Sequence, residues 1–344
     1  MGQKSRIRYA ARGNKMTNPQ AMAELWRGGM LESVHLGHAV ICDASGVVEA
    51  WGDPDTVIFP RSSCKMVQAL PLLESGAGAG LSQAQLALAC ASHQGAALHT
   101  GHVARWLADL GLGEGDLRCG AHEPNDREEH HRLVRASEQP CQLHNNCSGK
   151  HAGFLMLNRH MRGGSEYVEP DHPMQRTIWQ AFEEVTGEAS PGYGIDGCSA
   201  PNFATSVTGL ARAMAAFANA TGAGDARDRA MFALTRAMGA YPDLVAGEGR
   251  ACTELMRVMG GRVAVKTGAE AVFVAIVPEK RMGIALKIVD GGTRAAEAAV
   301  AALLVRMGVL DRNHPATRKR LDAVQRNWRG IETGILRAAP GFPA

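Results

Sequence analysis

Apolar positions follow a strand rhythm near both ends of the chain and a helical rhythm through the middle. Residues 33–42, Ser-Val-His-Leu-Gly-His-Ala-Val-Ile-Cys, read as a strand; Asp43-Ala-Ser-Gly46 supplies a turn and Val47-Val-Glu-Ala-Trp51 the returning arm of a hairpin. Gly52-Asp-Pro-Asp55 breaks the sheet. A helix is expected to begin near Ser62, with Met66, Leu70 and Leu73 at helical spacing and Pro71 kinking or ending it. Residues 81–110 are alanine- and leucine-rich and helical, apart from a polar break at Ala91-Ser-His-Gln-Gly95, and 111–148 read as irregular. Helices are expected at about 150–161, 172–186, 204–218 and 226–239, then strands at 263–266, 271–277 and 282–289 with a turn at Pro278-Glu-Lys280. An amphipathic helix over 293–307 and a further helix from about 316 complete the pattern. The simplest packing is an α/β fold in which the hairpin and the late strands share one antiparallel sheet, flanked by terminal helices, with a mainly helical region inserted. In these terms 16–344 form one catalytic unit, with an α/β part (about 30–60 and 260–335) and a helical part (about 62–255).

Composition adds exclusions. With 344 residues, 45% hydrophobic and 21% charged, the chain can bury a substantial core. A net charge of +3 from scattered basic residues gives no nucleic-acid footprint, and no run of about 18 apolar residues suggests a membrane span. Lys4, Arg6, Arg8, Arg12 and Lys15 cluster before Met16 with no apolar segment behind them, so 1–15 read as a disordered extension, with Met16 as an alternative start. Eight dispersed cysteines without a secretory leader point to a reducing, cytoplasmic setting.

Five stretches carry chemistry. In Pro60-Arg-Ser-Ser-Cys-Lys65, Ser62 and Lys65 are three residues apart, so a hydroxyl and an amine share one helical face. A lysine kept neutral by burial can take a serine proton; the same tetrapeptide also arises when a serine merely caps a helix. Val265-Lys-Thr-Gly268 puts Lys266 on a strand, where it can meet a carboxylate or a hydroxyl, or simply face solvent. Ser92 lies in the polar break, which is either a helix–helix turn or a serine turned toward a site. Asn145-Asn-Cys-Ser-Gly-Lys-His151 and Gly194-Ile-Asp-Gly-Cys198 each place a cysteine in a polar loop. Two thiolates with nitrogen or carboxylate donors such as Lys150, His151, His144 or Asp196 suit tetrahedral zinc. Cys64 is turned off the Ser62–Lys65 face by helical spacing.

Taken together and in order, these motifs, with Cys90-Ala-Ser-His93, Tyr241-Pro-Asp-Leu-Val-Ala-Gly247 and Lys266-Thr-Gly-Ala-Glu270, resemble the Rhizobium-type (class 3) L-asparaginase II family over roughly 20–335. The resemblance implies a fold similar to serine β-lactamases, transpeptidases and glutaminases. It also implies two Ser–Lys pairs, Ser62 with Lys65 and Ser92 with Lys266. Cys147, Lys150 and Cys198 are the implied zinc ligands, and Arg61, Asp196 and His151 the implied substrate contacts. L-asparagine is the implied substrate, and a cytoplasmic homodimer the implied assembly. One departure stands out: Gly95 is followed by Ala96-Ala97, where an acidic residue is expected. A glutaminase, a penicillin-recognising hydrolase (against which the missing Ser-Asp-Asn counts) and a non-enzymatic zinc protein are the rival readings.

Overall fold

A computed structural model describes residues 18–343; the extension over 1–15 and the choice between Met1 and Met16 lie outside the described residues. The N-terminal hairpin is longer than the pattern suggests. Strand β1 (Gln20–Arg27) turns at Gly28-Gly29 into β2 (Met30–Asp43), which turns again into β3 (Gly46–Trp51). Short ribbons pair β4 (Val57–Ile58) with β7 (Thr205–Ser206), and β5 (Tyr193–Ile195) with β6 (Pro201–Phe203). Late in the chain come β8 (Ala264–Gly268), β9 (Val272–Val277) and β10 (Met282–Ile288), and finally β11 (Ala323–Arg326) and β12 (Glu332–Ala338). One eight-stranded antiparallel sheet runs β11-β12-β1-β2-β10-β9-β8, with β3 also on β2. The 14 residues of β2 serve both ends: 30–37 pair with β1 and 39–43 with β3, while 37–42 pair with β10 on the other edge.

Val272-Phe-Val-Ala-Ile-Val277 has no alternation because β9 is buried throughout, and β10 is covered almost as fully. Two long helices, Val207–Asn219 and Thr293–Arg306, pack on this centre. The first comes so close that a side chain at Gly283 would meet the helix backbone at Ala211 and Ala215. Between β4 and β8 also lie the helices Gln83–Ala89, Ala97–Asp109, Arg127–Ala136, Ser148–His160, Pro173–Thr186, Ala226–Ala240 and Ala251–Val258.

The expected sheet gains β1, β11 and β12, and the expected terminal helix from about 316 shrinks to Pro315–Arg318. Gln20-Ala-Met-Ala-Glu-Leu-Trp-Arg27 and Glu332-Thr-Gly-Ile-Leu-Arg-Ala338 are poor in β-branched residues; they become strands by pairing with each other, a non-local gain that local propensity does not contain. The stretch 111–148 also holds a helix, Arg127–Ala136, capped by Asp126 accepting from the Glu129 N–H at 2.9 Å. Its pattern is faint because only Glu129 and Leu133 are buried on it. Pro71 ends one short helix and starts the next, Leu70–Glu74. Among the described residues no helix is long and apolar enough to cross a membrane.

Candidate active site

Chain segments far apart in sequence meet in one buried polar cluster. Pro60 leads into a 3-10 turn, Arg61–Cys64, continued by the helix Lys65–Gln68. Arg61 sits at φ +53°, a strained value for a non-glycine residue; its N–H donates to Asn202 Oδ1 at 3.2 Å and is held there. Ser63 closes the turn by donating to the Pro60 carbonyl through its N–H at 3.1 Å and its hydroxyl at 2.7 Å. Ser62 is left half-exposed.

Lys65 is 1% exposed. Its ammonium spends its three donors on the Ala91 carbonyl, on Ser92 Oγ at 2.9 Å and on Cys147 Sγ at 3.1 Å. The amine expected to pair with Ser62 therefore donates to Ser92. Spacing of i and i+3 aligns the two Cβ atoms, but the four-carbon stem carries Nζ past the neighbouring hydroxyl to the loop beyond.

Ser92 occupies the break between Gln83–Ala89 and Ala97–Asp109, where its N–H donates to the Val245 carbonyl at 2.8 Å and the His93 N–H to the Asn146 carbonyl at 3.2 Å. That stitching holds Ser92 between the 241–247 stretch and the Cys147 loop. Its hydroxyl receives a second amine, Lys266 Nζ, at 2.8 Å. Lys266 is fully buried on β8, and burial, reinforced by the nearby Lys65 charge, pushes it down to about 7. Two residues on, Gly268 explains the Lys-Thr-Gly order: a Cβ there would lie 2.6 Å from the Pro60 carbonyl oxygen and 3.1 Å from Ser63 N. Only glycine lets the lysine strand press against the turn that carries Ser62.

The other half of the cluster is sulfurous. Cys147 precedes the helix Ser148–His160, and Gly149 lets that helix approach the Leu88 carbonyl, 2.6 Å from where a Cβ would be. Lys150 Nζ lies 3.2 Å from Cys198 Sγ. A hydrogen bond from Cys147 holds the Cys198 thiol far below its usual range, with the Lys150 ammonium assisting, while Cys147 is pushed up to about 12 as donor of that bond and by burial. Burial works to neutralise Lys150, but the Cys198 and Cys147 charges and Asp196 outweigh it and raise the amine. Asp196 accepts from Arg61 at 2.7 and 3.1 Å. Burial alone would raise its carboxyl, yet the Arg61 hydrogen bonds and the Lys150 charge hold it low.

Among the described residues no three His, Cys, Asp or Glu side chains converge as a metal cluster. The donor set here is two sulfurs and an amine, and those three atoms do converge. The set is soft, nitrogen–sulfur and three-membered, which fits zinc with one open position provided the metal displaces the proton that Lys150 otherwise keeps.

His151 is placed differently. It is fully buried on the far side of the helix, with Nδ1 2.9 Å from the Tyr167 hydroxyl and its ring against Phe154 and Tyr167. Burial keeps it neutral. Beside Lys150 in sequence, it packs on Tyr167 and Phe154 instead of on the sulfur atoms, because one residue along a helix rotates a side chain by about 100°. Cys64 is buried, donates to the Arg61 carbonyl at 3.3 Å and is pushed up to about 12 by burial, the behaviour of a core thiol. Asn202 and Val245 escaped the sequence reading, although each lies in or beside a motif singled out there, and neither bears reactive chemistry of its own. Two surface hollows, of about 580 Å³ beside Trp26 and Arg337 and about 360 Å³ beside Pro124 and Leu133, share no residue with the cluster.

The L-asparaginase II family profile matches residues 23–338. The chain belongs to the L-asparaginase II family. It is thereby an L-asparaginase-type amidohydrolase acting on a small-molecule amide. A search of curated proteins finds no match. Among solved structures the chain is similar to a β-lactamase from Mycobacterium bovis (14% identity, 78% of this chain and 94% of that one, TM-score 0.42). It is also similar to Mglu in its native form (13%, 81% and 66%, TM-score 0.44) and to the D-alanine carboxypeptidase AmpC from Burkholderia cenocepacia (13%, 79% and 93%, TM-score 0.38). At that level of likeness none of their chemistry transfers to this chain.

Proposed function

We propose that this L-asparaginase II family member hydrolyses L-asparagine to L-aspartate and ammonia through an ester formed on Ser62. Ser62 is partly exposed on the turn that abuts the Lys266 strand, whereas Ser92 is 7% exposed and already bracketed by two amines. The observation that carries the reading is the unbroken line Lys65–Ser92–Lys266, ending on an amine held at about 7. A neutral Lys266 takes the Ser92 proton, Ser92 takes one from Lys65, and the freed Lys65 lone pair takes the Ser62 proton. Ser62 Oγ then bonds to the side-chain amide carbon, and the C–N bond breaks as the leaving nitrogen recovers that proton and departs as ammonia. Water cleaves the β-aspartyl ester by the same relay and restores Ser62. The Ser62 N–H is suited to stabilise the oxyanion.

Cys147, Lys150 and Cys198 would hold zinc, which when bound supplies a Lewis-acid anchor for the charged end of the substrate. Arg61, paired with Asp196, is suited to the α-carboxylate. Eight free cysteines accord with a cytoplasmic enzyme, and a homodimer is carried forward as part of this proposal, to be checked by light scattering.

The deciding experiment measures ammonia release by purified protein from L-asparagine and L-glutamine, with elemental analysis for zinc. Release from asparagine with metal bound is expected. No release from either amide, or release unchanged in Ser62→Ala, removes the mechanism.

A further inference from the structure

The turn between β8 and β9 holds Glu270 at φ +56° and Ala271 also at φ +56°. Two successive non-glycine residues in the left-handed region are costly, and such conformations persist only where surrounding structure imposes them. Here the surroundings do so. Ala271 is buried at 2% exposure, and the buried Lys287 donates its ammonium to the Glu270 carbonyl. The strain aims one side chain outward: Glu270 is exposed, with Oε2 lying against Gly291.

Position gives this a purpose. Gly268 touches the Pro60–Ser63 turn, and two residues of chain span at most about 7 Å, so Glu270 lies within that reach of Gly268, close enough for its charge to act on Arg61. Among the described residues its carboxylate has no hydrogen bond or ion pair. Asp196, the other acid at this end of the cluster, is committed to Arg61 and to the Gly197 N–H at 2.7 Å. Burial works against the Arg61 charge, and the hydrogen bonds to Asp196, with the charges of Asp196, Glu270 and Cys198 behind them, overcome it.

An amino-acid amide carries a carboxylate and an ammonium on one carbon. Arg61 matches the first. We propose that Glu270 binds the α-ammonium group of the substrate and so restricts this site to α-amino acid amides. The inference deepens the reading under Proposed function and rests on it for the placement of the reacting amide.

Two measurements test it. Calorimetry compares binding of L-aspartate with that of succinate, which has the same carboxylates but no ammonium. Kinetics follows ammonia release from L-asparagine in the wild type, Glu270→Gln and Glu270→Asp. Glu270→Gln is expected to weaken L-aspartate binding and raise KM for asparagine about ten-fold, with kcat within about two-fold, because a charge-assisted contact is lost in ground and transition states alike. Succinate binding should be unchanged and Glu270→Asp should recover part of the loss. Equal weakening of aspartate and succinate would make Glu270 a support for Arg61 and overturn the proposal, as would an undiminished preference for aspartate in Glu270→Gln. A wild type that prefers aspartate, loses that preference in Glu270→Gln and yet releases no ammonia would overturn the proposed reaction while leaving this site in place.

Discussion

Lys266 and Lys150 make an instructive pair. Both are lysines, both are almost completely buried, at 0% and 3% exposure, and both donate to a side chain at about the same range. Their charge states diverge because of what faces them. Lys266 sees a hydroxyl, a carbonyl and another amine, so burial wins and its pKa falls to about 7. Lys150 sees a thiolate, with Asp196 nearby, so attraction wins and the amine stays charged. Burial alone thus says little about a lysine; the sign of its nearest neighbour decides whether it becomes a base or an anchor. In this molecule the amine-rich half holds a lysine close to neutrality and the sulfur-rich half a charged one.

The largest effect expected from that division is kinetic. Ser62→Ala should lower ammonia release from L-asparagine by at least about 10⁴-fold while shifting stability by less than about 0.5 kcal/mol, since the hydroxyl is half-exposed and removal leaves no buried partner unpaired. Activity surviving in Ser62→Ala but lost in Ser92→Ala would move the nucleophile inward.

The next effect falls on the sulfur half. Cys198→Ala strips the thiolate from Lys150 and leaves an uncompensated buried charge, at a cost of about 3–5 kcal/mol in urea unfolding. Adding Lys150→Met to Cys198→Ala should return much of that loss, and a double variant no better than the single one would break the comparison. Zinc content per chain should fall in Cys198→Ala if the metal sits where proposed.

The smallest effect has the opposite sign. Between about 7 and 10.5 the unfolded chain protonates Lys266 and the native chain does not, so this group subtracts stability progressively as pH falls through that window and by a constant amount below it. Lys266→Met should therefore be more stable than the wild type by about 1–3 kcal/mol at pH 7, with the gap closing toward pH 10.5. Its activity should be lost. Wild-type turnover should rise with pH through about 7 as Lys266 becomes neutral, a limb that a pH–rate profile would reveal.

How much of this was legible beforehand differs by level. The long helices other than Arg127–Ala136 and the strands β9 and β10 were plain from their apolar positions, because each buries a whole face or, in the two strands, nearly every residue. Strands β1, β11 and β12 were not, since alanine, glutamate and arginine there lean toward helix, and only the long-range pairing of β1 with β12, Ala23 opposite Ala338, makes them strands. At the site, Ser62, Lys65, Ser92, Lys266, Cys147, Lys150 and Cys198 could all be named from their motifs, and the structure joins Lys65, Ser92 and Lys266 in one line, Lys65 to Cys147, and Lys150 to Cys198. What motif spacing did not contain is which serine Lys65 donates to, or that His151, next to Lys150, faces Tyr167. Glu270 stood in a motif as a letter; its role emerges from a backbone conformation that no residue preference for glutamate would suggest.

By itself, then, the amino-acid order determined which elements could form, which reactive groups were available and, through Gly149 and Gly268, where two backbones could approach. Partnership and protonation were left to the tertiary structure. A lysine's charge is set by atoms a few ångströms away in space, and those atoms arrive from segments that lie up to 174 residues off in the chain.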